Sequence, residues 1–420
     1  MNQLKVNKIK KEKNRIDIFY EIEGEWEKFF NIEENFFIEY DRNIEDVPDS
    51  ICIIPFLSNI LPISWVNDAK VYLKELDKNF YNSIKNIKQG YINMHPNINF
   101  LGDLIIENVI ENKNLASGGV LVFFSGGADS FSTLISHINE NPQLLTVWGS
   151  DIMLDDIEGW NNVKEQINDV SLKFGVKKNI IKTNFRTFIR DNILDMLVKE
   201  KAGDGWWHGF QHGIGLIGQA APIVFDDNIT KIYIASSYCE KNKANSCASD
   251  PTIDNHFKVA DCTVYHDQYE LGRLEKIKKI IEYSNANKIT PLIRVCWESR
   301  GGNNCCKCEK CYRTIYEILA CGDNPNKYGF IFNDKINKKI KNYIMYKKIL
   351  SQVEIAFWKE IKDAFLTRKS LIINNKEYKW IYKLDLEKGN NMAIKKFRIF
   401  LRKLKGKLKR NLKKLKKVRK

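Results

Sequence analysis

The chain has 420 residues, of which 44% are apolar and 12% aromatic, enough to bury one large core or two smaller ones. No stretch contains the roughly 18 uninterrupted apolar residues of a membrane-spanning helix, and residues 1–13 are polar and lysine-rich, unlike a secretory signal. Composition therefore argues against a disordered or membrane-spanning chain, and we expect a folded cytoplasmic protein.

The formal net charge of +15 arises at one end of the chain. Residues 391–420 hold 15 Lys or Arg and no Asp or Glu, whereas the rest of the chain balances 52 basic with 52 acidic residues. Apolar residues recur along this tail at near-heptad spacing, which predicts a basic amphipathic helix. We expect the helix to bind an anionic membrane surface, at the inner face of the membrane, or nucleic acid; a solvated extension is the alternative. The apolar stripe favours the membrane surface, because it would gain little on a phosphate backbone.

Residues 1–115 are predicted to form an α+β module. Apolar and polar residues alternate in 15–22 and 35–40, which predicts antiparallel strands, and helices are expected near 47–62 and 75–94. This part of the sequence contains no motif that points to a function.

From residue 116, segments typical of strands alternate with helical segments. Strands are predicted at 120–124, 144–148, 179–183 and 231–235, and helices at 129–139, 158–174, 187–200 and 209–221. Such alternation implies an α/β fold with a doubly wound parallel sheet, in which ligands bind at the carboxyl ends of the strands. We assign residues 116–325 to this domain, 326–390 to a helical extension and 391–420 to the basic tail.

A glycine-containing turn, Ser125-Gly-Gly-Ala-Asp-Ser130, separates the first of these strands from its helix. Glycines permit a close backbone approach to a ligand, and the N–H groups at a helix start attract anions. The two serines can donate hydrogen bonds to phosphate oxygens, and Asp129 can reach a Mg²⁺ ion. The turn lacks the lysine of a Walker loop. We predict a phosphate-binding turn, with a purely structural turn as the alternative. Its residues are Ser125, Gly126, Gly127, Ala128, Asp129 and Ser130.

Five of the ten cysteines fall within residues 296–311, a clustering typical of metal ligands rather than of disulfides. The four predicted ligands are Cys296, Cys305, Cys308 and Cys311. The first of them is expected at the end of a strand, 292–295. Four thiolates suit a structural Zn²⁺ ion, with an iron–sulfur cluster or unliganded buried cysteines as alternatives. Cys306 is left open, since it could replace its neighbour as a ligand or stay free.

Two histidines, His208 and His212, are four residues apart and would share a helix face. We predict that they line a substrate pocket, with packing or helix capping as the alternative. Cys239, Cys247 and Cys262 lie in a loop-rich stretch and could also face the substrate.

The segment 125–130 matches the Ser-Gly-Gly-x-Asp-Ser signature of the PP-loop ATP pyrophosphatases. Residues 118–325 resemble 7-cyano-7-deazaguanine synthase. The features that carry this resemblance are segment 125–130, the cysteine cluster, and the segment Tyr312–Pro325, which is similar to the closing helix and turn of that family.

The resemblance implies an adenine nucleotide alpha hydrolase-like fold and an enzyme that splits ATP to AMP and pyrophosphate. A carboxylate would be activated as an acyl-adenylate and attacked by ammonia or an amine, and a second activation would give a nitrile. The resemblance further implies that segment 125–130 binds the phosphates of ATP with Mg²⁺, with Ser125, Asp129 and Ser130 as catalytic residues. The four cysteines would hold Zn²⁺.

The sequence departs from that family at three places. Cys306 replaces the glycine of the knuckle, residues 205–212 (Gly-Trp-Trp-His-Gly-Phe-Gln-His) replace an Arg-Asn substrate motif, and residues 236–266 differ from the purine-recognition loop. We therefore expect an ATP-dependent C–N ligase acting on a small-molecule or macromolecular carboxylate. The alternatives are a PP-loop sulfur transferase with a sulfur-carrying cysteine and an ATP-sensing component of a defence complex. Homodimer formation is left open.

Overall fold

The computed structural model describes residues 2–113, 118–242, 246–296, 298, 300–368, 376–387, 390, 391 and 393–397. They form two compact units, each of which is described by itself. The first contains the described residues of 1–272 and 299–303, and the second contains those of 273–298 and 304–420. Among the helices formed by these residues, none is both long and apolar enough to cross a bilayer.

The first unit is an α/β structure built on a sheet of eleven strands, most of which pair in parallel. The strands are β1 (Gln3–Glu12), β2 (Arg15–Glu23), β3 (Phe36–Tyr40), β4 (Lys70–Asp77), β5 (Asp103–Ile110), β6 (Gly119–Phe123), β7 (Gln143–Trp148), β8 (Lys178–Thr183), β9 (Ile229–Ala235), β10 (Lys258–Val259) and β11 (Cys262–Asp267). Their order across the sheet is β10-β11-β9-β6-β7-β8-β3-β2-β1-β4-β5.

Helices connect these strands. In the first unit they are α1 (Asp49–Cys52), α2 (Ile54–Val66), α3 (Lys78–Met94), α4 (Ala128–Ser136), α5 (Ile157–Phe174), α6 (Asp191–Ala202), α7 (His212–Ile217), α8 (Ala221–Asp226) and α9 (Pro251–Asp254). A π-helical turn, Trp207–Gln211, leads into α7. Helix α2 is buried on almost every side and therefore belongs to the core of the unit.

Five parallel strands around β6 position the glycine turn. The chain runs outward from β6 through β7 to β8, and then returns to the opposite side of β6 to form β9 and β11. Val122 of β6 is paired with Leu144 on one side and with Tyr233 on the other. Because the order of strands reverses beside β6, a crevice is expected at the carboxyl ends of β6 and β9. This arrangement is compatible with the doubly wound fold.

The strands of the first 113 residues continue the same sheet. Strand β3 pairs antiparallel with β8, with Ile38 opposite Thr183. The alternation in the sequence predicted β2 and β3, but β1, β4 and β5 were not predicted. The helix expected near 75–94 begins only at Lys78, because β4 extends to Asp77, whose carboxylate accepts a hydrogen bond from the Phe80 amide at 2.9 Å and caps α3.

The second unit is mainly helical. Its helices are α10 (Arg273–Asn287), α11 (Glu309–Ala320), α12 (Asp334–Asn342) and α13 (Gln352–Thr367). Tyr316 of α11 lies in an aromatic cluster with Trp358 and Trp380. Residues 398–420, and with them most of the predicted basic helix, lie outside the described residues.

The strand predicted at 292–295 is wrong. No strand forms there; instead, the Ile293 amide donates to the Tyr328 carbonyl at 3.0 Å and the Val295 amide donates to Asn304 Oδ1 at 2.9 Å. The backbone N–H groups of this segment therefore donate to groups outside any strand, and not to a neighbouring strand of a sheet. A short apolar run in the sequence does not show which of these two partners the backbone will have.

Candidate functional site

The glycine turn follows the central strand β6, and its last three residues form the start of α4. Gly126 has φ +74°, in the left-handed region that favours glycine, and Gly127 precedes the helix, where its carbonyl accepts from the Phe131 amide at 3.0 Å. Phe124 fixes the turn to β7, because its amide donates to the Leu145 carbonyl at 2.8 Å and its carbonyl accepts from Thr146 Oγ1 at 2.7 Å. The turn is thus held at the carboxyl end of the strand.

The two serines of the turn face each other. Ser125 is exposed, and its Oγ lies 3.4 Å from Ser130 Oγ and 3.3 Å from the Gly127 amide. Ser130 is buried and donates to the Gly127 carbonyl at 3.0 Å. Asp129 lies half-buried in the first turn of the helix. The hexapeptide therefore combines hydroxyl groups, a carboxylate and the N–H end of a nine-residue helix at one place.

His208 and His212 lie together with a cysteine. His208 is on the π-helical turn, a form of helix that often occurs at functional sites. Its ring and that of His212 are 6.4 Å apart, and the sulfur of Cys247 is 3.7 Å from His212 Nδ1. His208 Nδ1 contacts the carboxylate of Asp204, and its Nε2 is 3.2 Å from the Tyr238 hydroxyl.

Hydrogen bonds change the protonation of this group of side chains, which we call the cysteine–histidine cluster (Asp204, His208, His212, Tyr238 and Cys247). Burial raises the pKa of the Cys247 thiol, but hydrogen bonds with His208 and His212 outweigh burial and lower this pKa to about 6. Burial lowers the pKa of His208, but hydrogen bonds with Asp204 and Cys247 raise it to about 10. At neutral pH the cluster therefore contains a thiolate beside an imidazolium.

One glycine, Gly213, lets the segment around Cys247 lie directly on the helix that carries the histidines. The Ala248 amide donates to the His208 carbonyl at 2.7 Å. A Cβ atom on Gly213 would lie 2.6 Å from the Ala248 carbonyl oxygen, whereas one on Gly209 would have nothing nearer than 3.5 Å. Gly213 therefore permits a backbone approach that a larger residue would block.

The cysteine–histidine cluster reaches the edge of the sheet at which the glycine turn lies. Tyr238 follows the carboxyl end of β9, and β9 is the parallel neighbour of β6. The Ser236 amide, between β9 and Tyr238, donates to the Asp267 carbonyl at the end of β11 at 3.0 Å. Both candidate sites therefore belong to the carboxyl edge of the parallel strands.

Sequence reasoning found His208 and His212 from their spacing and noted Cys247, but it missed Asp204 and Tyr238. Two signals were present: Asp204 precedes His208 by four residues, and a His-Gly pair occurs twice, at 208–209 and 212–213. Tyr238 has no local signal, because only the fold brings it to the histidine.

In the second unit, the four predicted metal ligands meet. The sulfurs of Cys296, Cys305, Cys308 and Cys311 all lie within 4.8 Å of one another, with 4.0 Å between the first and third and 3.8 Å between the second and fourth. Backbone amides also point at the sulfurs, since the amides of Lys307 and Cys308 each lie 3.3 Å from Cys305 Sγ. These four cysteines, which we call the four-cysteine cluster, could hold a metal ion.

Cys306 does not join the four-cysteine cluster. Its φ of +48° is in the left-handed region, and its sulfur instead accepts a hydrogen bond from the Ile331 amide at 3.3 Å. Of these two neighbouring cysteines, Cys305 is the one whose sulfur lies in the four-cysteine cluster. The left-handed backbone also explains why a glycine would suit this position.

No protein-family model and no curated protein matches this chain. Any functional assignment therefore depends on the residues and the geometry described above.

Proposed function

We propose that this chain is an ATP-dependent ligase of the PP-loop class, which adenylates a substrate carboxylate, releases pyrophosphate and passes the acyl group to ammonia or an amine. The observation that carries the proposal is the position of residues 125–130, which follow β6 and form the start of α4 at the reversal of strand order. Open α/β sheets bind their ligands at this position.

The side chains and amides of the turn fit the phosphates of a nucleoside triphosphate. The proposed fold is adenine nucleotide alpha hydrolase-like. The amides at the start of α4 would bind the β and γ phosphates, with the hydroxyls of Ser125 and Ser130 as further donors. Asp129 would hold the Mg²⁺ ion that accompanies ATP, because hard cations take carboxylate oxygens. The α phosphorus is then left accessible to the carboxylate.

The four-cysteine cluster is proposed to hold a structural Zn²⁺ ion. In a tetrahedral site, Zn–S bonds of about 2.3 Å place the sulfurs about 3.8 Å apart. The measured separations of 3.8 and 4.0 Å are close to that value. Four thiolates fill the coordination shell, so the ion would stabilise the fold without taking part in the reaction.

Sulfur transfer is the second candidate, and the observation that favours it is the position of the Cys247 sulfur, 3.7 Å from His212 Nδ1, where the neighbouring histidines lower the pKa of the thiol. The products separate the two candidates. A carboxylate panel incubated with ATP, Mg²⁺ and ammonia would give AMP, pyrophosphate and an amide in a ligase, whereas a sulfur transferase would need a sulfur donor and give a thiocarbonyl. Formation of ADP and phosphate would contradict both.

The phosphate-binding turn can be tested without knowing the substrate. In Gly127→Asp, the new carboxylate occupies the position before a helix, where Asp is favourable, so the fold should be retained. Its charge would repel ATP, since two like charges 4 Å apart cost about 4 kcal/mol at an effective dielectric constant of 20. We expect Mg-ATP binding, measured by titration calorimetry, to weaken at least tenfold.

Gly127→Asn is the matched control, because it has nearly the same shape and the same capping ability without the charge. It should bind Mg-ATP far better than Gly127→Asp. Equal binding by the two variants, or failure of the unaltered chain to bind Mg-ATP, would show that ATP does not bind at this turn.

A further inference from the structure

The cysteine–histidine cluster has the composition of an activated nucleophile. The sulfur of Cys247 lies 3.7 Å from His212 Nδ1, and the rings of His212 and His208 lie 6.4 Å apart. Asp204 contacts Nδ1 of His208 and is itself held by Ser246 Oγ at 2.7 Å. A nucleophile beside an imidazole, together with a carboxylate that orients an imidazole, is the composition of covalent catalytic centres that use serine or cysteine.

Simpler roles for Cys247 do not account for this arrangement. Within the described part of the chain, the four-cysteine cluster is the group in which three or more metal-binding side chains converge. A buried structural cysteine would resemble Cys262, which is 1% exposed and whose pKa is raised by burial. Cys247 is 3% exposed, yet its pKa is shifted in the opposite direction.

The position of the cluster suggests which electrophile the thiolate meets. Tyr238, which contacts His208, leaves the carboxyl end of β9, and the glycine turn leaves the carboxyl end of the neighbouring strand β6. An acyl-adenylate formed from ATP at the turn would be generated at the same edge of the sheet. Acyl-adenylates are electrophilic at the carbonyl carbon, and thiolates attack such carbons readily.

We propose that Cys247 accepts the acyl group from the adenylate as a thioester before nitrogen attacks, with His212 as the imidazole beside its sulfur, His208 as the second imidazole of the cluster and Asp204 as the residue that positions His208. This inference rests on the proposed function. The thiolate forms a C–S bond while the C–O bond to AMP breaks and AMP leaves with the electron pair. The nitrogen of ammonia or an amine then forms the C–N bond, the C–S bond breaks to restore the thiolate, and the nitrogen loses its proton to solvent.

The first test measures the reactivity of Cys247 and does not involve ATP. The full chain is treated with iodoacetamide under native conditions at pH 5 to 9, and each cysteine is followed by peptide mass spectrometry. With a pKa of about 6, Cys247 should react at pH 7 at least roughly tenfold faster than Cys262. Unreactive Cys247, or a rate that rises only above pH 8, would overturn the proposal.

The second test asks whether Cys247 reaches an acyl group at the ATP site. The probe is an adenosine 5′-vinylsulfonamide, whose vinyl group stands where the acyl carbon of an adenylate would be and traps a nearby thiolate. We expect Cys247 to be the labelled residue and excess ATP to suppress labelling. Cys239→Ser is the matched control, since Cys239 is equally buried at 3% exposure and lies in the same loop-rich stretch, and labelling should persist in it.

The outcomes separate the two proposals. A chain that binds Mg-ATP but is not labelled at Cys247 would refute the thioester and leave adenylation standing. A chain that does not bind Mg-ATP would refute the proposed function, whatever the reactivity of Cys247 towards iodoacetamide.

Discussion

The four-cysteine cluster and the cysteine–histidine cluster place the same side chain at the same depth in two different environments. Cys296, Cys308 and Cys247 are each 3% exposed. The sulfurs of the first two lie 4.0 Å apart, and the Cys311 amide points at Cys308, whereas Cys247 lies beside His212, whose neighbour His208 is held by a carboxylate. Depth of burial therefore does not determine the chemistry of a cysteine.

Cys52 and Cys262 show what burial alone does. Both are almost fully buried, and burial is the largest influence on each thiol and raises its pKa. Comparison with these two cysteines shows that the lowered pKa of Cys247 is caused by the neighbouring His208 and His212. The comparison predicts that variants in one cluster should leave the properties of the other unchanged.

The largest expected effect follows removal of a ligand from the four-cysteine cluster. Cys308→Ser should lose the bound metal, because one of four thiolates is gone, and the second unit should lose stability. Binding of structural zinc contributes on the order of 10 kcal/mol in small zinc domains, so part of the unit should become sensitive to protease. Metal analysis should find about one zinc per chain before the substitution and almost none after it.

Cys306→Ser is the control for that substitution, since the Cys306 sulfur contacts the Ile331 amide and not the four-cysteine cluster. It should keep the zinc. If Cys308→Ser also retained zinc, or if Cys306→Ser lost it, the ligand set would be wrong.

A smaller effect is expected where Gly213 meets the segment around Cys247. The Cβ of Gly213→Ala would lie 2.6 Å from the Ala248 carbonyl oxygen and still closer to Asp254 Oδ1. Asp254 cannot move freely, because its other oxygen is held by His266 Nδ1 at 2.8 Å and Ser249 Oγ at 2.9 Å. We expect urea denaturation to show that the free energy of unfolding falls by about 1–3 kcal/mol.

Gly209→Ala adds the same methyl group one helical turn away, where the nearest atoms are at an ordinary 3.5 Å. It should be close to neutral in the same measurement. Alkylation of Cys247 should slow in Gly213→Ala and not in Gly209→Ala, and zinc content should change in neither. Equal stability of the two alanine variants would mean that this close packing does not exist.

The sequence predicted the parts of the molecule that depend on neighbouring residues. Strand β6, the turn 125–130 and the start of α4 form one continuous segment, and the four-cysteine cluster comes from one short stretch. In contrast, β1 was missed because its pairing with β2 shifts register between Val6 and Lys8, which disturbs the alternation of apolar residues.

Features that depend on distant segments could not be predicted. The continuation of the sheet from β8 to β3 joins residues more than a hundred positions apart, and no local pattern signals it. The cysteine–histidine cluster is similar, because Asp204 and His208 come from one segment, Tyr238 from the end of β9 and Cys247 from a loop. Helical spacing revealed the histidines, but the state of the thiol depends on contacts that only the folded chain makes.

The smallest effect concerns Asp204, which acts on Cys247 only through His208. Asp204→Asn keeps an oxygen that can accept a hydrogen bond from the imidazole but removes the negative charge. Without that charge the pKa of His208 falls, because burial lowers it and the carboxylate no longer raises it. Less imidazolium is then present at pH 7 to stabilise the thiolate, so the pKa of Cys247 rises from about 6. We expect alkylation of Cys247 to slow several-fold at pH 7 and to be little changed at pH 9, where the thiolate forms in both proteins.

The shape of this pH profile separates a charge effect from a structural one, because a distorted site would react more slowly at every pH. Asp195→Asn is the matched control, because it removes a carboxylate close to the same segment. Asp195 accepts a hydrogen bond at 2.6 Å from the amide of Trp206, which is two residues after Asp204 in the chain. Its profile should keep the midpoint near pH 6. If Asp204→Asn kept that midpoint as well, the carboxylate would not control the thiolate, and His208 and His212 alone would account for the difference between the two kinds of cysteine site.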